Sequence, residues 1–384
     1  MVNPQDAVRR IIEEEVLGPR LRDQRAYLAL ASEDPLPVAR TDLLYLWDEY
    51  HTEMLDFAAT MHPLGHRHAP LHATVSEHLQ YYGFTAPQGR HLLRWPVSYA
   101  KALSESFSGP EETRKVLFCE GEREAMTKAV LLARHWTDRH QVLVVDTGWH
   151  DWLENRVLAA PADWSRSDWD TVGGLVLAAV DTAYRPVPNI RDWIVAAREN
   201  SVPVIFDESV TGFGRTGTLW GQEHAGLVAD LTVLGGPVGG GLPLGAVVAP
   251  AHFFDTREMC DTGPLAGHPW SCAAGQFTLE AIHPGVLEHV LESGRMLSTA
   301  LDGLQGQFPN RIEGHYGLGL LRAVRFTDFD RAAAFPRAAR SHGLHVAPAV
   351  GHSVLLAPPL VASTHEVTRG VDLIADVLMS WEDD

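Results

Sequence analysis

Lysine is nearly absent from this chain. Its 384 residues hold three, Lys101, Lys115 and Lys128, within a total of 31 Lys+Arg, and none follows Ala129. A side-chain primary amine is what forms a reversible imine with an aldehyde, so everything beyond Ala129 lacks that chemistry. Cysteine is scarce as well. Cys119, Cys260 and Cys272 are odd in number and lack metal-ligand spacing, which reads as buried reduced thiols rather than a disulfide framework. A formal charge of -18 leaves no basic excess to neutralise phosphates, which excludes nucleic acid as a partner. No apolar run approaches membrane-spanning length, and the opening MVNPQDAVRRIIEEEVLG has no uninterrupted apolar core of signal-peptide length, so a cytoplasmic protein with no membrane partner is expected.

What is present is enough to build a large core: 45% of the residues are apolar. Short β-rich runs occur at Val116–Cys119, Val142–Val145, Leu175–Val180, Val202–Phe206, Leu231–Leu234 and Ala246–Val248, with helical periodicity at Glu124–Trp136 and Ile190–Asn200 between some of them. Strands alternating with helices predict an α/β fold, a parallel sheet covered on both faces. From about His283 the pattern changes to helix, then short strands near Leu320–Phe326 and Val354–Leu356, then a closing helix at His365–Trp381. The chain therefore divides into an N-terminal segment 1–60, a large α/β domain 61–285 and a small C-terminal α+β domain 286–384.

The stretch from Val202 to Pro250, VPVIFDESVTGFGRTGTLWGQEHAGLVADLTVLGGPVGGGLPLGAVVAP, closely resembles the class III (omega-type) aminotransferases, which use pyridoxal 5'-phosphate. The resemblance covers nearly the whole length: LLYLWDEYHTEMLDFAATMHPLGHRHAP near the start, with Asp48, Asp56, Phe57, Gly65 and His66 in matching places, then IFDES, TGFGRTG, GGGLPLGA, HPWSCAA and YGLGLL in family order. It implies a fold-type-I aminotransferase-like architecture, a mostly parallel central sheet flanked by helices, and a homodimer with its active site at the subunit interface. Fold does not fix chemistry, however.

The positions that carry the family's chemistry differ here. Its Leu-Gly-Lys triplet aligns with Leu234-Gly235-Gly236, so the Schiff-base amine is replaced by Gly236. The Ser-Gly-Ser/Thr-Glu-Ala turn that presents backbone amides and a hydroxyl to the cofactor phosphate aligns with Gly121-Glu122-Arg123-Glu124-Ala125. An anion at a helix N-terminus gains only about 0.3 to 2 kcal/mol. A like charge ~4 Å away costs on the order of 4 kcal/mol at an effective dielectric of ~20. Glu122 therefore opposes phosphate unless Arg123 turns inward. The threonine donated across the dimer aligns with Pro264, ahead of Gly267-His268-Pro269, and proline has neither hydroxyl nor N–H. The arginine that clamps a substrate carboxylate in many members aligns with Leu355, and the family's Glu-Pro pair with Ala178-Ala179.

Other positions keep useful groups. Asp207 closes an apolar run at the C-terminal edge of a strand, where open α/β sheets bind ligands, and in the family it pairs with the pyridine nitrogen. Trp149-His150 takes the place of the aromatic-His pair that stacks on the cofactor; Ser209 and Val210 replace an apolar residue and a glutamine. If the implied fold holds, Glu120, Glu122, Arg123, His150, Asp151, Asp207 and His268 converge, with His150 or Asp207 as general base and Arg123 as anion clamp. The ligand-facing set is then Gly121, Trp149, Asp207, Ser209, Gly236 and His268; the same groups also read as surface ion pairs in a vacated cavity. His62, His66, His68 and His72 cluster in sequence, and alternation in an extended segment would put His66 and His68 on one face. With no cysteine or carboxylate in view to complete a ligand set, no metal is expected.

Three classes of function compete for a small-molecule ligand. One is a repurposed enzyme of bacterial specialised metabolism with non-transaminase chemistry, holding either no pyridoxal phosphate or one bound without a covalent link. The second is a non-catalytic homologue acting as partner or regulatory subunit. The third is an aminotransferase using dissociable pyridoxamine phosphate, which needs no internal imine. Replacement by charged Glu122 and Arg123 rather than by Ala and Gly throughout favours the first.

Overall fold

The computed structural model of the protein describes residues 35–81, 92–107, 113–145, 157–159, 168–226, 228–255 and 260–381. Three short strands come first, β1 (Val38–Asp42), β2 (Tyr45–Asp48) and β3 (Glu53–Asp56), paired antiparallel in turn. Two helices follow. The first, α1 (Ala69–Leu79), has Pro70 in its first turn, where the missing N–H costs nothing, and the second is α2 (Arg94–Ser106).

The chain then lays down β4 (Arg114–Cys119), α3 (Glu122–Thr137), β5 (Gln141–Val144), β6 (Val157–Ala159), β7 (Val172–Ala178), α4 (Ile190–Glu199), β8 (Val204–Asp207), β9 (Leu231–Leu234) and β10 (Gly245–Pro250). Their strands form one sheet in the order β4-β10-β9-β8-β7-β5-β6. The pairs β5–β6, β5–β7, β7–β8 and β8–β9 are parallel, but β10 runs antiparallel to both β4 and β9. The sheet is thus mostly parallel, as expected, with β10 its one antiparallel strand. A parallel return needs a crossover of roughly a dozen residues or more. The short link from Gly235 to Leu244, partly taken up by a 3-10 turn at Gly236–Gly239, cannot make one.

Alternation along the strands divides the core between two helix layers. Val176 and Ile205 face the α3 side with Met126 and Ala129, whereas Leu175, Leu177, Val204 and Phe206 pack on the α4 side with Trp193 and Ile194. Both stripes recur at helical spacing, which is why Glu124–Trp136 and Ile190–Asn200 were readable as helices.

The remainder comprises α5 (Pro269–Ala281), α6 (Pro284–Gln307), β11 (Ile312–Leu318), β12 (Leu321–Phe326), α7 (Phe329–Ser341), β13 (Leu344–His345), β14 (Ser353–Leu356) and α8 (Thr364–Ser380). β11, β12 and β14 make a three-stranded antiparallel sheet. β13 instead joins β3 in parallel, His345 opposite Asp56, so a strand from the C-terminal part completes the N-terminal sheet. A capping box between Ser363 and Glu366 starts α8. Among the described residues no helix is long and apolar enough to cross a membrane.

Candidate functional site

β8 ends on two adjacent carboxylates that point to different environments. Asp207 lies opposite Ala178 of β7 and Val233 of β9 and is almost buried. The Ser209 N–H donates to its Oδ1 at 2.9 Å, and the Ser209 hydroxyl donates to the same oxygen. Glu208 is fully buried: Gly221 N–H and the Thr211 hydroxyl donate to Oε2 at 2.8 and 2.6 Å, and Gln222 N–H donates to Oε1 at 2.8 Å. Burial pushes the Glu208 carboxyl up to about 7, although those three donors and their preference for the ionised form pull the other way. No pattern singled out Glu208, because one carboxylate beside another in a turn looks like a cap.

Across from Asp207 stands the first turn of α3. Gly121 precedes it in extended backbone and offers no capping side chain. Glu122 is half-buried and packs over Gly235: a Cβ placed on that glycine would stand 2.5 Å from Glu122 Cβ, 2.9 Å from its Oε2 and 2.8 Å from Ser209 Cβ. Burial first and the Asp207 charge second raise the Glu122 carboxyl above the ordinary carboxylate range, and Arg123 lowers it in part. Arg123 itself lies on the exposed face of the turn. Gly236, at φ 42°, directs its missing side chain toward Met61 Sδ and the Ser209 carbonyl oxygen, each 3.1 Å from an ideal Cβ. Met61 had not been marked in the sequence; only folding brings it to Gly236.

The other sequence-marked residues take structural partners. Glu124 accepts from Gly263 N–H at 2.7 Å and Glu120 from Leu265 N–H at 2.9 Å, so the loop carrying Pro264 rests on α3's own first turn. His268 is the N-cap of α5: its Nδ1 accepts from Trp270 N–H at 3.2 Å and its ring meets the Trp270 ring edge-on. Leu355 is buried in an apolar cluster with Val180, Leu321 and Ala357, against which Val210 and Tyr184 pack. Trp149, His150 and Asp151 lie outside the described residues.

The histidine segment departs from its expected geometry. Rather than extended, residues 62–65 form a turn, Gly65 N–H donating to the His62 carbonyl at 2.9 Å, with Pro63 at its second position and Gly65 at φ 82°. A side chain at Gly65 would meet the Leu43 carbonyl oxygen at 2.7 Å. The turn pairs His62 with His66, ring centroids 4.4 Å apart, while His68 turns to Phe277. Alternation of His66 with His68 is therefore wrong for this segment. A carboxylate is also present: His66 Nε2 donates to buried Asp56 Oδ2 at 2.8 Å.

These residues do not fit a conventionally held pyridoxal phosphate. Asp207 suits a ring nitrogen, but the α3 N-terminus carries Glu122, the Gly263 and Leu265 amides already bond carboxylates, and no lysine lies beyond Ala129. Comparison with known proteins nevertheless gives one consistent answer. Residues 184–378 match the family model described as aminotransferase class-III. Acetylornithine aminotransferase of Synechocystis sp. is 25% identical over 403 residues, covering 90% of this chain and 89% of that protein. The enzyme of the same name from Caldanaerobacter subterraneus is 26% identical, covering 90% of this chain and 95% of its own length. The ornithine aminotransferase structure from Toxoplasma gondii superposes with a TM-score of 0.85 at 20% identity, covering 99% of both chains. An S-selective transaminase from Arthrobacter sp. gives 0.84 at 21% identity, over 95% of this chain and 99% of that one.

Proposed function

The chain belongs to the class-III aminotransferase family, and from that premise we propose that it is a repurposed member. It acts on a small molecule by proton transfer between Glu122 and Asp207, without a covalent aldehyde cofactor. The observation that carries this reading is Glu122, whose half-buried carboxyl packs over Gly235 beside Ser209 and is raised by burial and by Asp207. A carboxyl raised by burial beside a second carboxylate offers an acid next to a base. In this reading Asp207, which accepts from the Ser209 N–H and hydroxyl, is the base, and Glu122, biased toward its neutral form, is the acid. We further propose a cytoplasmic homodimer, serving bacterial specialised metabolism; a monomer by light scattering at micromolar concentration counts against the assembly.

One experiment separates this from transamination. The full chain is incubated in D2O with a panel of amines, amino acids and oxo acids, alone, with pyridoxal phosphate or with pyridoxamine phosphate, and followed by proton NMR. Carbon-bound proton exchange that Glu122→Gln abolishes is expected, with no pyridoxyl-lysine peptide after borohydride reduction. An adduct on Lys101, Lys115 or Lys128, or turnover indifferent to Glu122→Gln, overturns the proposal. Amino-group transfer only when pyridoxamine phosphate is supplied supports the second reading, a dissociable cofactor, which Asp207 at the end of β8 favours. Silence across the whole panel leaves a non-catalytic partner as the better account.

A further inference from the structure

A second cluster of side chains joins the end of β3 to the turn before α1. Asp56 Oδ2 and one ring nitrogen from each of His62 and His66 all lie within 4.8 Å of one another. We propose that these three side chains form a binding site for a borderline divalent transition metal, with Zn2+ or Co2+ as the fitting ion.

The geometry is close to what such an ion needs. Metal–imidazole and metal–carboxylate bonds of ~2.0 to 2.2 Å place neighbouring ligand atoms roughly 3.3 Å apart around a tetrahedral centre. The Asp56–His66 separation of 2.8 Å must open by only about 0.5 Å on that basis. His62 closes on them by turning its ring. Its position is fixed by the Pro63-Leu64-Gly65 turn, and that of His66 by mutual hydrogen bonds with Leu43, each at 2.7 Å. Ala58 N–H donates to the other Asp56 oxygen at 2.8 Å, aiming Oδ2 at the histidines, as outer-shell bonds to a ligating carboxylate do. On binding, Asp56 and the two neutral imidazoles each donate a lone pair, and the proton on His66 Nε2 moves by way of solvent to Nδ1, so no net charge leaves the ring.

Neighbouring residues select the class of ion. Buried Arg215 donates to the carbonyls of Ala59 and Pro358, close enough for its charge to act on both Asp56 and His62. One carboxylate offset by a guanidinium is a poor site for Ca2+ or Mg2+, which rely on several oxygen ligands. Imidazole-rich sites suit Zn2+, Co2+ or Ni2+ instead. His345, the strand neighbour of Asp56, has a buried Nδ1 without a hydrogen-bond partner. Such an orphan calls for a solvent or ion-borne partner, and water on the metal's open position provides one.

The test is titration of the metal-free full chain with Co2+, read by visible d–d absorption and confirmed by Zn2+ displacement, at neutral pH. One equivalent per chain with a tetrahedral or five-coordinate spectrum is expected, and excess Mg2+ or Ca2+ should not displace it. Removing a ligand with His62→Gln, which breaks no hydrogen bond of the Asp56–His66 pair, should weaken binding at least about tenfold with the circular dichroism and melting temperature of the metal-free protein unchanged. His68→Gln, in the same histidine-rich segment but outside the cluster, should leave affinity as it was. Absence of a saturable spectrum overturns the site. So does binding that His68→Gln weakens as much as His62→Gln, since that is non-specific histidine capture.

Discussion

The end of β8 and the first turn of α3 face each other with the same chemical group and opposite fates. Glu208 is enclosed and every side of its carboxylate is met by a donor, from Thr211, Gly221 and Gln222. Glu122 is only half-buried, receives no hydrogen bond among the described residues, and has Asp207 for a neighbour. A buried carboxylate with its partners in place holds the fold together; one desolvated without them is available for a ligand. Glu208 thus serves packing, whereas Glu122 keeps its hydrogen-bonding capacity open.

Glu208→Ala strands two buried N–H groups and a hydroxyl and leaves a hole, so a loss of roughly 3 to 5 kcal/mol is expected from urea unfolding midpoints. A loss under about 1 kcal/mol would mean that the carboxylate merely fills space, and the contrast with Glu122 would fail.

Titration gives the next largest effect. The folded Glu208 carboxyl is raised from 4.5 to about 7, so its proton is held more tightly in the native state than in the unfolded chain. Its contribution to stability is fully present below pH 4.5 and is lost as pH rises through about 7, by up to about 3 kcal/mol for the whole window. Melting temperatures of the wild type should fall over that range relative to Glu208→Gln, which cannot ionise. Parallel curves for the two proteins would show that the three donors, not burial, set the ionisation of this group.

How far the sequence could be read follows the same division between local pattern and long-range contact. β8, β9 and β10 were legible because Val-Ile-Phe, Leu-Thr-Val-Leu and Ala-Val-Val are apolar runs bounded by Pro, Asp and Gly, a signal held within a few residues. β1 to β3 were not, since they are four or five residues long, partly exposed, and stabilised by pairing that reaches β13 far along the chain. Asp207 stood out for its place after an apolar strand. Glu122 was found by aligning a turn, but Met61 at Gly236 and Asp56 at His66 depend on the turn from His62 to Gly65, whose geometry no periodicity reveals. The direction of β10 was lost for a related reason: strand runs look alike in either sense, and only the length of the Gly235 to Leu244 link decides.

Glu122→Ser removes the carboxylate at the α3 N-terminus and supplies a hydroxyl there, so inorganic phosphate and pyridoxal phosphate should bind at least about tenfold more tightly than to the wild type, measured by calorimetry. Salt should erode part of this gain. Equal affinity for both proteins would show that the Pro264 loop and the carboxylates of Glu120 and Glu124, rather than Glu122, keep anions out.

Restoring the amine should change least. Gly236→Lys returns the one group capable of an imine, yet the new side chain starts at φ 42° with Met61 Sδ and the Ser209 carbonyl oxygen 3.1 Å from its Cβ, so Met61 must move aside first. In the proposed reading even a well-placed lysine would face Glu122 where a phosphate would sit, and Leu355, packed among Val180, Leu321 and Ala357, where a carboxylate would be clamped. Orientation and electrostatic stabilisation each supply several kcal/mol to such chemistry and act together, so one recovered nucleophile cannot offset the rest. No turnover above background is expected from Gly236→Lys with a panel of amino donors and 2-oxoglutarate or pyruvate in a coupled assay. The double variant Gly236→Lys with Glu122→Ser should gain cofactor affinity and a borohydride-trappable adduct at 236 while still failing to transaminate. Robust turnover by the single variant would mean that the rest of the cleft remains competent, and that Glu122 and Glu208 differ in partners without differing in role.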